Sequence, residues 1–139
     1  MKTAFLLLFS LALSAVEGRA ALPTFDDAEK VSLSEARIKP GKAQLQLDIA
    51  FAKGWHLNPE APLQYSVDGA KMKRVKPAKV PLTMSYETAG RNAVDVGVIV
   101  AYCRSDGKGV CKQKKVLLHQ PLKTDPTAGS KLTLKLQAD

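Results

Sequence analysis

Beyond its first twenty residues the chain has no long apolar run, no phosphate-cradling glycine loop and no paired-carboxylate motif. With no second apolar run, the mature chain is expected to be soluble and to keep no inserted segment in a membrane. The two histidines, His56 and His119, come with no Ser, Cys and Asp constellation that would make a nucleophilic triad. No cofactor-binding signature is present, so no cofactor is expected. Internal repeats and low-complexity tracts are also lacking, and helical periodicity is weak outside a short turn expected at Phe25–Lys30. Cysteine occurs only twice, as Cys103 and Cys111.

The first twenty residues, MKTAFLLLFSLALSAVEGRA, read as an export signal. Lys2 supplies the positive end, Ala4 to Val16 the apolar stretch, and Gly18 and Ala20 the small residues at the −3 and −1 positions of a cleavage site. The apolar stretch is shorter than the roughly 20 residues that a spanning helix needs. No cysteine follows it, so lipidation is not indicated. The mature chain is expected to begin near Ala21 and to form one domain over residues 21–139, in the periplasm or outside the cell. The formal charge of the whole chain is +8, and removal of Lys2, Glu17 and Arg19 leaves +7. The positive charge clusters in Lys71–Lys79 and Lys112–Lys115, a surface suited to an acidic protein or polyanion. Those clusters hold no interleaved aromatics that would stack on bases.

Period-two alternation dominates the chain beyond residue 30. Ala43, Leu45, Leu47, Ile49 and Phe51 alternate with Gln44, Gln46, Asp48 and Ala50, the pattern of a strand with one buried face. Val94, Val96, Val98, Val100 and Tyr102 repeat it, with Asp95, Gly97, Ile99, Ala101 and Cys103 on the other face. Further strands are expected at Val31–Ile38, from Val110 through Leu118, and over Leu132, Leu134 and Leu136, with a frayed tail beyond. Pro77 and Pro81 mark a loop or an irregular edge. Short strands separated by Pro, Gly and Asp turns predict an all-β, antiparallel β-sandwich.

The segment Ser105-Asp106-Gly107-Lys108-Gly109 is a strong turn between two strand-like runs. A hairpin symmetric about Gly107 places Cys103 opposite Cys111, and opposed Cα atoms lie about 4.5–5.5 Å apart, within disulfide range. In an exported chain the pair is expected to be oxidised. It is then either a structural staple or an exchangeable couple, and the nearby Arg104, Lys108, Lys112 and Lys114 would favour the thiolate needed for exchange. Metal binding is not expected. Eight residues of strand span roughly 26 Å, too far for Cys111 and His119 to share an ion, and two thiolates with His56 are a thin ligand set.

Two blocks carry a family resemblance. FAKGWHLNPEAPLQYSV, residues 51–67, and VIVAYCRSDGKGVCKQKKVLLHQPL, residues 98–122, resemble the N-terminal domain of the thiol:disulfide interchange protein DsbD. The second block is also similar to the C-terminal β-domain of NHL-repeat-containing thioredoxin-like proteins. The resemblance implies an immunoglobulin-like sandwich whose Cys103 and Cys111 are the redox pair. It implies a thioredoxin-like or membrane thiol–disulfide oxidoreductase as partner. Trp55, His56 and Asn58 match the first block and are expected to pack beneath the site, and Tyr102 matches the aromatic before the first cysteine. Two functions are then open: thiol–disulfide interchange through Cys103 and Cys111, with Cys111 as the attacking residue, or a non-catalytic secreted module with a structural disulfide and a basic binding surface.

Overall fold

Strand-forming alternation becomes two stacked sheets in the computed structural model, which describes residues 25–139. The expected export signal therefore lies outside the described residues. Ten strands occur in chain order: β1 (Glu29–Ser32), β2 (Ala36–Ile38), β3 (Lys42–Phe51), β4 (Trp55–Leu57), β5 (Leu63–Val67), β6 (Lys73–Val75), β7 (Leu82–Glu87), β8 (Ala93–Arg104), β9 (Cys111–Thr124) and β10 (Lys131–Ala138). The larger sheet runs β1-β9-β8-β5-β6; β2 extends the β1 edge of β9, and β4 pairs with β8. The smaller sheet is β10-β3-β7.

The core fills the space between the sheets. From the smaller sheet come Leu45, Leu47, Leu82, Met84, Leu134 and Leu136; from the larger come Leu63, Val94, Val96, Val98, Val100, Val116 and Leu118. The alternation read over residues 43–49 and 94–102 thus marks the two inner faces, as a two-residue side-chain period requires. Each buried polar residue is satisfied. Ser66 donates to the Ala70 carbonyl, Thr88 to the carbonyls of Lys39 and Gly41, and the Gln120 amide to those of Ser34 and Pro121.

The β-sandwich matches the expectation, but three details depart from it. The sheets are mixed: β1 and β2 lie parallel to β9, and β10 lies parallel to β3. Alternation specifies which face a strand buries and leaves its direction to long-range connections. The strand expected over residues 31–38 divides into β1 and β2, because the Gln120 side chain donates to Ser34 and holds the backbone away from a continuous ladder. The tail is anchored rather than frayed. Ala138 is fully buried, the Tyr102 hydroxyl donates to the Asp139 carbonyl at 3.0 Å, and Lys114 pairs with the Asp139 carboxylate at 3.0 Å. Burial pulls the Lys114 pKa down, yet the hydrogen bonds and negative charge of Asp139 and Glu29 outweigh this and hold it above the usual value.

The outer face of the larger sheet is not bare. Gly97, at the middle of β8, is buried beneath the Phe25 ring, and a methyl group there would overlap that ring. Lys115 secures this N-terminal stretch, lying 5.5 Å from the Phe25 centroid and 2.6 Å from the Asp27 carboxylate.

Candidate functional site

The hairpin β8–β9 is the longest pairing in the molecule, with a continuous antiparallel register from Ala93↔Pro121 to Cys103↔Cys111. Its turn reverses at Gly107 and Gly109, whose φ angles of 74° and 69° lie in the left-handed region that glycine enters without strain. Asp106 accepts from the Lys108 amide at 3.1 Å, closing the turn in the way Asp commonly does. The expected symmetry about Gly107 is therefore realised, and Cys103 and Cys111 are disulfide-bonded.

The register explains why the bond fits. The Arg104 amide donates to the Val110 carbonyl, so residues 104 and 110 form a hydrogen-bonded pair. The adjacent pair, 103 and 111, is then a non-hydrogen-bonded one, where opposed backbones approach most closely. Their Cα atoms are 4.0 Å apart. Cys103 is half-buried and Cys111 exposed, both on the outer face of the sheet, away from the core. Val110, beside Cys111, is 43 % accessible and is the one large hydrophobic side chain exposed among the described residues.

The same alternation revises the expected charge around the sulfurs. Residues next to each cysteine in sequence point to the opposite face of a pleated strand. Lys112 registers with Tyr102 and places its ammonium 4.8 Å from the Trp55 ring. Lys114 registers with Val100 and pairs with Glu29 and Asp139. Arg104 pairs with Asp106 at 2.7 Å. Of the four cations expected to surround the sulfurs, two lie on the far side of the sheet and a third is neutralised within the turn.

Beneath the bond, Trp55 meets Tyr102 edge-on with ring centroids 5.4 Å apart, and Phe51 lies 5.8 Å from Tyr102 on another side. Phe51 and Trp55, both partly buried, pack with Tyr102 against the core. Asn58 serves the backbone: its carboxamide accepts from the Glu60 amide, and its own amide donates to the Ala101 carbonyl.

His56 occupies a different place from its neighbours Trp55 and Leu57. On β4 it registers with Cys103, so His56, Cys103 and Cys111 form one row across three adjacent strands. Its Nδ1 is hydrogen-bonded to Ser105 Oγ at 2.9 Å, and Ser105 lies two residues beyond Cys103 at the end of β8. Trp55 packs below the site as expected, whereas His56 stands on the face that carries the sulfurs. Periodicity gives no sign of this, because the three-residue strand β4 acquires its partner only through long-range pairing with β8.

His119 lies at the far end of the outer face, donating from Nδ1 to Asp95 at 2.6 Å. Among the described residues, no three His, Cys, Asp or Glu side chains gather to hold a metal ion, and no helix is long and apolar enough to cross a membrane. No protein-family model matches this chain, and no curated protein matches it.

Proposed function

We propose that this protein is an exported thiol–disulfide interchange domain that exchanges electrons with partner proteins through Cys103 and Cys111. One observation carries the reading: the bond joins strands that are already paired, at the exposed end of the hairpin and outside the core. Eleven aligned residue pairs hold β8 to β9, so the register does not need the sulfurs to define it. Exposure leaves Cys111 open to a partner's thiolate, which must approach the bond along its axis. The neighbouring Val110 supplies an apolar foothold of the kind a thioredoxin-like surface would cover. The resemblance of residues 51–67 and 98–122 to the DsbD N-terminal domain supports the same reading, with its immunoglobulin-like frame, its periplasmic or secreted location and a thioredoxin-like or membrane oxidoreductase as partner.

The test is the reduction potential of the pair in glutathione buffers, with thiols trapped at equilibrium. A value between about −120 and −270 mV belongs to exchange proteins, whereas one below about −300 mV marks a structural bond and overturns the reading. In cells, Cys103→Ser should trap a mixed disulfide through Cys111.

A second reading rests on a separate observation. Lys71, Lys73, Arg74, Lys76 and Lys79 are all exposed around the edge strand β6, and none forms an ion pair among the described residues. A non-catalytic module would use this edge to hold an acidic protein or polyanion. Its binding would then fall steeply with salt and survive removal of both cysteines.

A further inference from the structure

We infer that His56 is the proton partner of Cys103, a role that rests on the interchange reading and assigns the two sulfurs different tasks. Three observations carry it. His56 is the cross-strand neighbour of Cys103 on the side opposite Cys111, so the half-buried sulfur has an imidazole on one flank and its disulfide partner on the other. Both residues belong to the outer face, since residues directly opposed on paired strands share a face. The third observation is the hydrogen bond between His56 Nδ1 and Ser105 Oγ, which commits one ring nitrogen and leaves Nε2 without a hydrogen-bond partner among the described residues.

Ser105 is a neutral partner, unlike the carboxylate that holds His119. The charged groups facing this end are few. Arg104 and Asp106 satisfy each other at 2.7 Å, Lys108 sits in the turn, and Lys53 precedes β4. On β9 the same face carries Cys111 and, opposite Ala101, the neutral Gln113. Among the described residues no carboxylate is hydrogen-bonded or ion-paired to His56.

Atoms and electrons balance in two steps. When the reduced protein acts, the Cys111 thiolate attacks a partner disulfide, forming a mixed disulfide and releasing one partner sulfur as thiolate. Cys103 gives its proton to His56 Nε2, and the resulting thiolate attacks Cys111 Sγ. The Cys103–Cys111 bond forms, and the second partner sulfur leaves with the electron pair of the broken mixed disulfide. The partner gains two electrons, and the protons reach its two thiolates from His56 and from solvent. Reduction of the pair is the same path reversed, with His56 protonating Cys103 as it leaves. An imidazole in this position matters most for the shielded sulfur, because exposed Cys111 exchanges protons with water directly.

The experiment isolates Cys103 as the sole thiol in a Cys111→Ser background and follows its alkylation rate against pH, with His56 and with His56→Gln. The expected result is that His56→Gln raises the apparent pKa of Cys103 by about one unit, a tenfold loss of thiolate stabilisation. In the two-cysteine protein, His56→Gln should slow exchange near neutral pH by about tenfold or more. Ser105→Ala should shift the same curve in the same direction by less, and it keeps the test open should His56→Gln fold poorly. Alkylation profiles that superimpose for all three proteins would overturn the role of His56. A wild-type pair that does not exchange at all would overturn the interchange reading itself, so the two failures are told apart.

Discussion

Each end of the outer face carries a histidine, and the two are held in opposite ways. At the hairpin tip, His56 leans on a serine hydroxyl and adjoins a reducible bond. At the other end, His119 donates to Asp95, whose backbone amide donates to Asp68. Asp68 in turn accepts from the Tyr86 hydroxyl at 2.6 Å. A carboxylate partner adds negative charge to the hydrogen bond that holds the ring, while a hydroxyl orients the ring without adding charge. One sheet thus holds the same side chain beside a disulfide at one end and in a bracing hydrogen-bond network at the other.

That contrast can be broken most decisively at the sulfurs. Cys111→Ser should abolish exchange completely, measured by thiol trapping against a model disulfide, while His119→Gln should leave the exchange rate unchanged. A comparable loss in His119→Gln would erase the distinction between the two ends. Next in size is stability: removing both sulfurs, Cys103→Ala/Cys111→Ala, should lower unfolding free energy by roughly 2–3 kcal/mol, as expected for so short a closed loop. Chemical denaturation would measure this, and a much larger cost would mark the bond as a structural necessity. Between the two ends, Gly97→Ala forces a methyl against the Phe25 ring and should cost about 1 kcal/mol. Trimming the ring as well, with Phe25→Ala, should remove most of that penalty in a double-mutant cycle.

At the bracing end, the Tyr86 phenol is pushed up to about 12 by partial burial and by the hydrogen bond and negative charge of Asp68. The neutral phenol is the form favoured by folding. Its contribution is therefore complete below the ordinary value of 10.0 and is lost as pH rises through about 12. An ultraviolet titration should show a late component that is lost in Tyr86→Phe, a substitution that should itself cost about 1 kcal/mol. The smallest effect lies in acid. Hydrogen bonding to Lys114 holds the Asp139 carboxyl below 3.8, so its contribution is present above that pH and fades as pH falls below it. Lys114→Met should flatten that acid limb in thermal melts.

The inner faces are legible in the sequence because burial on one side writes itself into every second residue, as Leu45, Leu47 and Leu134 illustrate. The cysteine register is legible for a local reason: only residues 105–110 separate the two strands. What alternation does not encode is which strands become neighbours. The parallel pairing of β1 and β2 with β9 has no local signature, nor does the docking of β4 beside Cys103. Closeness in sequence misleads about the charges near the sulfurs, since Lys112 and Lys114 come just after Cys111 along the chain yet project through the sheet. The tail reads as frayed because its anchor, Tyr102, lies 37 residues away.

Trp55 is the only tryptophan in the chain, and its indole touches Tyr102 and Lys112, the immediate backbone neighbours of Cys103 and Cys111. Breaking the bond changes the chemistry of the two residues next to those the indole touches. The protein therefore carries its own optical gauge: emission from one fluorophore should follow the oxidation state of the pair in real time, with no label attached.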